Sequence, residues 1–193
     1  VGGSYCAGGT GVIVDLISSS VGVNYQLMLG GVPVGAPLPG TGGPLSFGLQ
    51  TAPGIYTVIA TNTVTACSNL MSGSATFIIN PLPAPIGVPT ALCAGTTITL
   101  TDATSGGAWT SRTTSVATVG FSTGVVTGIA TGTTTITYTL LATGCYITQG
   151  VTVSVTPGPI SGPSAVCVGQ TITLGDGVPG GTWISGTQAR ATV

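Results

Sequence analysis

The chain has 193 residues, a formal net charge of −1, and 3% charged side chains with no His, where an ordinary globular domain carries about 25%. Two arginines, Arg112 and Arg190, give no electrostatic footprint for a run of phosphates or for an anionic lipid surface, so no nucleic-acid or membrane partner is expected. Without His there is no Ser–His or Cys–His pair, Asp15, Asp102 and Asp176 are far apart in sequence, and the P-loop Lys is missing. No enzyme activity, catalytic residue or cofactor is expected.

Apolar residues make up 42% of the chain and mean hydropathy is +0.65, so a core can be buried despite the missing charge. The apolar runs are strand-length, and none reaches the ~18 residues of a membrane-spanning helix. Val1–Tyr5 lacks the charged and apolar regions of a signal peptide, so any targeting signal lies outside this window.

Residues 1–82 are expected to form a first domain. Val12–Ile17, Val23–Leu29, Leu45–Gln50, Ile55–Asn62 and Ser74–Asn80 are short runs rich in β-branched and aromatic residues, separated by turn formers such as Gly35–Pro44. Short strands at such spacing predict a β-sandwich or barrel. Asn80–Pro89 holds four prolines and reads as a semi-rigid linker; Thr156–Pro163 repeats the device.

Residues 83–158 form the second expected domain, with strands over Thr96–Thr101, Ala108–Ser111, Val116–Phe121, Gly124–Ile129, Thr133–Leu141 and Val151–Thr156. In Thr133–Thr139 the alternation puts Thr134, Ile136 and Tyr138 on one face, with the other threonines towards solvent. Such a threonine row also occurs on ice-binding surfaces, but Thr is simply the best small polar strand former.

The stretch Cys93–Val119 returns as Cys167–Val193 without a gap, and 15 of its 27 positions are identical, among them the Cys, the Thr-Ile-Thr-Leu run, the Asp, the Gly-Gly and the Trp. This is a tandem repeat. Residues 159–193 are therefore expected to be the N-terminal half of a further domain, incomplete at Val193.

Five cysteines, Cys6, Cys67, Cys93, Cys145 and Cys167, come without a CxxC motif or a His, which points to disulfides rather than metal. Intradomain pairs, Cys6–Cys67 and Cys93–Cys145, are the first expectation; pairing across the linkers, Cys67–Cys93 and Cys145–Cys167, is the rival. In the intradomain scheme the partner of Cys167 lies outside the chain. Disulfides imply an oxidising, extracellular compartment. Trp109 and Trp183 recur at one strand position and are expected in the core, though exposed rings there would suit stacking on sugars. Asp102 and Asp176, each following a strand, read as turn caps rather than calcium ligands.

The second and third domains resemble bacterial immunoglobulin-like group 2 repeats. The resemblance is carried by Gly95–Leu100, Trp109-Thr-Ser, Val116-Ala-Thr-Val119 and the run Gly124–Ile136. The first domain, with Ser4–Gly9, Gly22–Gln26 and Ala52–Thr57, looks like a companion module. This resemblance implies an all-β fold of tandem Ig-like sandwiches in an extended array. It also implies the large type IX-secreted cell-surface adhesin, gliding or filament proteins of Bacteroidota. The expected function is a rigid, disulfide-stapled spacer of an extracellular fibre, stalk or adhesin. Its expected partners are copies of itself or neighbouring Ig-like repeats. The alternatives are a module binding surface glycans and the spacer of a secreted multidomain enzyme.

Overall fold

The computed structural model describes residues 2–87 and 89–193; Val1, in the first expected domain, and Val88, in the first proline linker, lie outside the described residues. Among the described residues there are fifteen strands and no helix. The chain divides into two compact units. Unit 1 comprises residues 1–85 with the short stretches 102–108 and 138–147; unit 2 comprises 86–101, 109–137 and 148–193.

Unit 1 holds β1 (Gly3–Cys6), β2 (Val12–Leu16), β3 (Val23–Leu29), β4 (Val32–Pro39), β5 (Leu45–Gln50), β6 (Gly54–Asn62), β7 (Ser68–Leu70) and β8 (Ala75–Asn80). One sheet runs β1-β8-β6-β3-β4, with β7 beside β6, and a second sheet is the pair β2-β5. Every second residue of β2 and β3 turns inward, so Val14, Tyr25 and Leu27 meet Leu45, Tyr56, Val58 and Phe77 in one buried cluster. The rings of Tyr56 and Phe77 lie 4.9 Å apart at a 42° tilt.

Three strands of unit 1 lie outside the expected runs. β4 runs through Pro33, Pro37 and Pro39 in a segment read as turn-rich, and it forms because it lies at the sheet edge, where missing N–H donors can face water. β1 lies at the opposite edge and runs parallel to β8, with Gly3 opposite Phe77 and Cys6 opposite Asn80. The short β7 pairs antiparallel with the end of β6, Ser68 opposite Thr61.

The remaining strands are β9 (Ala91–Cys93), β10 (Thr97–Thr99), β11 (Gly107–Ser111), β12 (Ala117–Val119), β13 (Val125–Gly128), β14 (Gly132–Leu140) and β15 (Tyr146–Ser154). They make a three-stranded sheet, β10-β13-β12, and a four-stranded sheet, β11-β14-β15-β9. β9, like β1, runs parallel to the last strand, with Ala91 opposite Thr152 and Cys93 opposite Ser154. In unit 2, Leu92, Leu100, Trp109, Val126, Ile136 and Val151 are buried. On β14 the alternation is as read: Thr134, Ile136 and Tyr138 are buried, and the threonines between them are not.

Residues 155–193 contain no strand, only an isolated bridge between Ser161 and Gly175. Their local turns nevertheless copy those of the first repeat. Gly87 N–H donates to Thr101 C=O as Ser161 N–H donates to Gly175 C=O. Thr96 N–H donates to Cys93 C=O, and Gln170 N–H to Cys167 C=O. Ala117 N–H reaches Thr113 C=O, and Ala191 N–H reaches Thr187 C=O. Asp102 accepts from Thr104 N–H and Asp176 from Val178 N–H, the turn caps that the sequence suggested.

Only the long-range pairing differs. Thr97–Thr99 is a strand because it lies against Val125–Val126–Thr127 of β13, whereas Thr171–Thr173, of the same sequence, has no such segment beside it. A strand needs a neighbour for its backbone groups. Ile160, Leu174 and Trp183 line an open cleft of about 550 Å³ in this region.

Candidate functional site

Among the described residues, no group of three or more His, Cys, Asp or Glu side chains could hold a metal ion, and no helix is long and apolar enough to cross a membrane. The features with chemistry left to them are the cysteines, the two tryptophans and a pair of tyrosine anchors.

Cys6 is bonded to Cys145, 139 residues further along the chain, with their Cα atoms 5.5 Å apart. Both belong to unit 1. Cys67, Cys93 and Cys167 are free. The bonding therefore corrects the intradomain expectation of Cys6–Cys67 and Cys93–Cys145, and Cys145 is also taken from the rival pairing with Cys167.

The direction of the edge strands explains the difference. Cys67 follows the loop beyond Asn62, whose N–H donates to Cys67 C=O, at the C-terminal end of β6. Cys6 is opposite Asn80 at the end of β8, and β8 runs antiparallel to β6 with Phe77 opposite Gly54. The nine residues of β6 therefore lie between them, at least about 25 Å at ~3.3 Å per residue. A disulfide requires Cα atoms about 4.4–6.8 Å apart.

The same holds for the second pair. Cys145 immediately precedes β15, whereas Cys93 is opposite Ser154, the last residue of that nine-residue strand. Parallel pairing sends the two cysteines to opposite ends.

Trp109 is 6% exposed, and a Cβ on Gly124 would stand 3.2 Å from its ring, which places it deep in unit 2. Trp183, its repeat partner, is 40% exposed in the open cleft. The two rings thus have different surroundings, and the difference follows the strand pairing that residues 155–193 lack.

Tyrosine anchors were missed by sequence reasoning. Tyr56, at the start of β6, donates its hydroxyl to Ala52 C=O four residues upstream at 2.9 Å. Burial, the largest cause, pushes its phenol pKa up, and the neighbouring Tyr5 adds to it. Tyr138 donates to Thr104 C=O at 2.7 Å and accepts from Gly107 N–H at 3.0 Å. The available signal was Ala-Pro-Gly-Ile-Tyr: a turn entering a strand with Tyr on its inward phase. A tyrosine bonding back across the corner before a late strand is a hallmark of Ig-type sandwiches. The fold is immunoglobulin-like.

The chain matches no protein-family model, and no curated protein sequence matches it. Solved structures with similar chain paths include the C-terminal 282-residue fragment of intimin, crystallised with the intimin-binding domain of the translocated intimin receptor. It is 19% identical with a TM-score of 0.42, over 78% of this chain and 58% of that one. Immunoglobulin domains 1–4 of Sidekick-1 are 15% identical with a TM-score of 0.36, over 79% of this chain and 46% of that one. Domains 4 and 5 of the S-layer protein SbsC are 23% identical with a TM-score of 0.28, over 72% and 73%. The chain thus spans just over half of the intimin fragment and just under half of the Sidekick-1 fragment.

Proposed function

We propose that this chain is a non-catalytic structural segment of an extracellular bacterial surface protein, a disulfide-linked run of Ig-like repeats that acts as a spacer. The finer reading follows the resemblance of Gly95–Leu100, Trp109–Ser111 and Gly124–Ile136 to group 2 Ig-like repeats: a fibre, stalk or adhesin of the type IX-secreted Bacteroidota kind. Its partners in that reading are neighbouring repeats or copies of itself.

The observation that carries the proposal is the Cys6–Cys145 bond. It closes a loop of 139 residues, and on the chain-entropy model a crosslink of that span stabilises by about 5 kcal/mol. Such a bond persists in an oxidising compartment and not in a reducing cytosol. It also keeps most of the chain from extending under load. The uncharged surface suits the same role, since 3% charged residues leave few sites for proteases that cut at basic residues and little salt dependence.

Single-molecule pulling of the chain between handle domains tests this. With the bond intact, residues 6–145 stay short when their strands unfold; reductant adds about 45–50 nm of contour length, at ~3.3–3.6 Å per residue. Equal contour lengths with and without reductant contradict the proposal. The glycan-binding alternative gains no separate support: Trp109 is buried, and the exposure of Trp183 is accounted for by the missing strand partner.

A further inference from the structure

The cysteines occupy two recurring addresses. At the first, the Cys ends an edge strand that runs parallel to the module's last strand, and a tight turn follows. Cys6 is opposite Asn80 and accepts from Gly9 N–H at 2.9 Å; Cys93 is opposite Ser154 and accepts from Thr96 N–H at 3.1 Å. The next residue repeats too, with Ala7 N–H donating to Asn80 C=O and Ala94 N–H to Ser154 C=O, both at 2.9 Å. Cys167 accepts from Gln170 N–H at 3.0 Å, the same turn.

At the second address, the Cys closes the hairpin before the last strands. Cys67 C=O accepts from Asn62 N–H at 2.9 Å, and Cys145 C=O accepts from Leu140 N–H at 2.8 Å. In both, the residue before the Cys is left-handed, Ala66 at φ 57° and Gly144 at φ 73°. In both, a Thr hydroxyl two residues before the Cys, Thr65 or Thr143, accepts from the Cys N–H.

Within a module these addresses stand at opposite ends of a nine-residue strand, too far apart to bond. The observed disulfide joins the first address of one module, Cys6, to the second address of the next, Cys145. We infer that this is the rule of the array: every first-address cysteine is bonded to the second-address cysteine of the module that follows it. Cys93 then takes the hairpin cysteine of a following Ig-like module. Cys67 takes the edge-strand cysteine of a preceding one, and Cys167 stands at the first address again.

The free cysteines are the open ends of a ladder. Each bond forms from two thiols, which give up two protons and two electrons to a small-molecule disulfide that leaves as two thiols. The inference rests on the repeat-array reading only for the existence of neighbouring modules and holds whatever the array spaces or binds; pulling tests the Cys6–Cys145 bond itself, and the partner taken by Cys93 tests the rule.

Extending the full chain after Val193 with a second copy of its residues 120–158 supplies the half that follows Val119 in the first repeat, including another copy of Cys145. The protein is refolded in oxidised and reduced glutathione, digested without reduction, and its crosslinks mapped by mass spectrometry. The expected bonds are Cys6–Cys145 and Cys93 to the added cysteine, with Cys67 and Cys167 alkylated as thiols. A bond from Cys167 to the added cysteine, a bond from Cys93 to Cys67 or Cys145, or an added cysteine left as a thiol overturns the rule. A second measurement needs no extension: in Cys145→Ser of the original chain, Cys6 and Cys67 both remain thiols. Rerouting of Cys6 to Cys67 refutes the opposite-end geometry outright.

Discussion

Leu100 and Leu174 occupy the same place in two copies of one sequence, yet Leu100 is 1% exposed and Leu174 is 38% exposed. The residues around them make the same turns, with the same donors and acceptors. What separates them is β13, which lies beside β10 and has no counterpart next to Thr171–Thr173. Turn geometry in this protein is local; burial is not.

The contrast predicts the order of proteolysis. Chymotrypsin should cut after Leu174 and Trp183 at least about tenfold faster than after Leu100 and Trp109, because cleavage needs an extended, unpaired backbone. Timed digestion with mass spectrometry reads the order directly. Equal rates at the two tryptophans would mean that the first repeat is no better ordered than the second.

Gly124 sits at φ +68°, and a Cβ there would lie 2.4 Å from Leu100 C=O and 3.2 Å from the Trp109 ring. Gly124→Ala combines left-handed strain with overpacking against backbone that cannot yield, and should cost about 2–4 kcal/mol. Gly150→Ala, with nothing within 4 Å of its added carbon, should change stability by no more than about 0.5 kcal/mol. Urea denaturation of both variants checks the pair.

Tyr138→Phe keeps the ring and removes one hydroxyl. It leaves Thr104 C=O and Gly107 N–H without the partner they share, so a loss of about 1–3 kcal/mol is expected. Tyr56→Phe removes a single bond to Ala52 C=O and should lose only about 0.5–1.5 kcal/mol. Reversal of that order, in thermal or urea unfolding, would count against Tyr138 as a double anchor.

Stability should be flat across neutral pH, because there is no His in the chain to titrate there. Tyr56 sets the alkaline limit. Its pKa is raised in the folded state, first by burial, so the neutral phenol is favoured by folding. That contribution is fully present below the unfolded tyrosine value of about 10 and is lost as pH rises through the folded value. Unfolding followed from pH 6 to 11 should show a plateau and then a decline, and Tyr56→Phe should lessen the decline.

Much of the fold was legible in the sequence, and the reasons differ by element. The alternation of Thr134, Ile136 and Tyr138 placed β14 and its buried face, since one sheet face must be apolar. The self-match of Cys93–Val119 with Cys167–Val193 located the second repeat. β4 escaped because proline was read as a strand breaker, and only its edge position makes Pro33 and Pro37 tolerable. β1, β7 and β9 escaped because they are three or four residues long, too short to carry a period.

The disulfide was the larger miss. Cysteine spacing alone matched an intradomain scheme, and what defeats that scheme is the parallel direction of β1 against β8 and of β9 against β15. Strand direction is a property of the assembled sheet. No local pattern around Cys6 or Cys67 encodes it.

The most direct test is non-reducing peptide mapping of the unmodified chain, folded under oxidising conditions with free thiols alkylated first. A Cys6–Cys145 crosslink is expected, with Cys67, Cys93 and Cys167 recovered as alkylated thiols. Recovery of Cys6–Cys67 together with Cys93–Cys145 would contradict it.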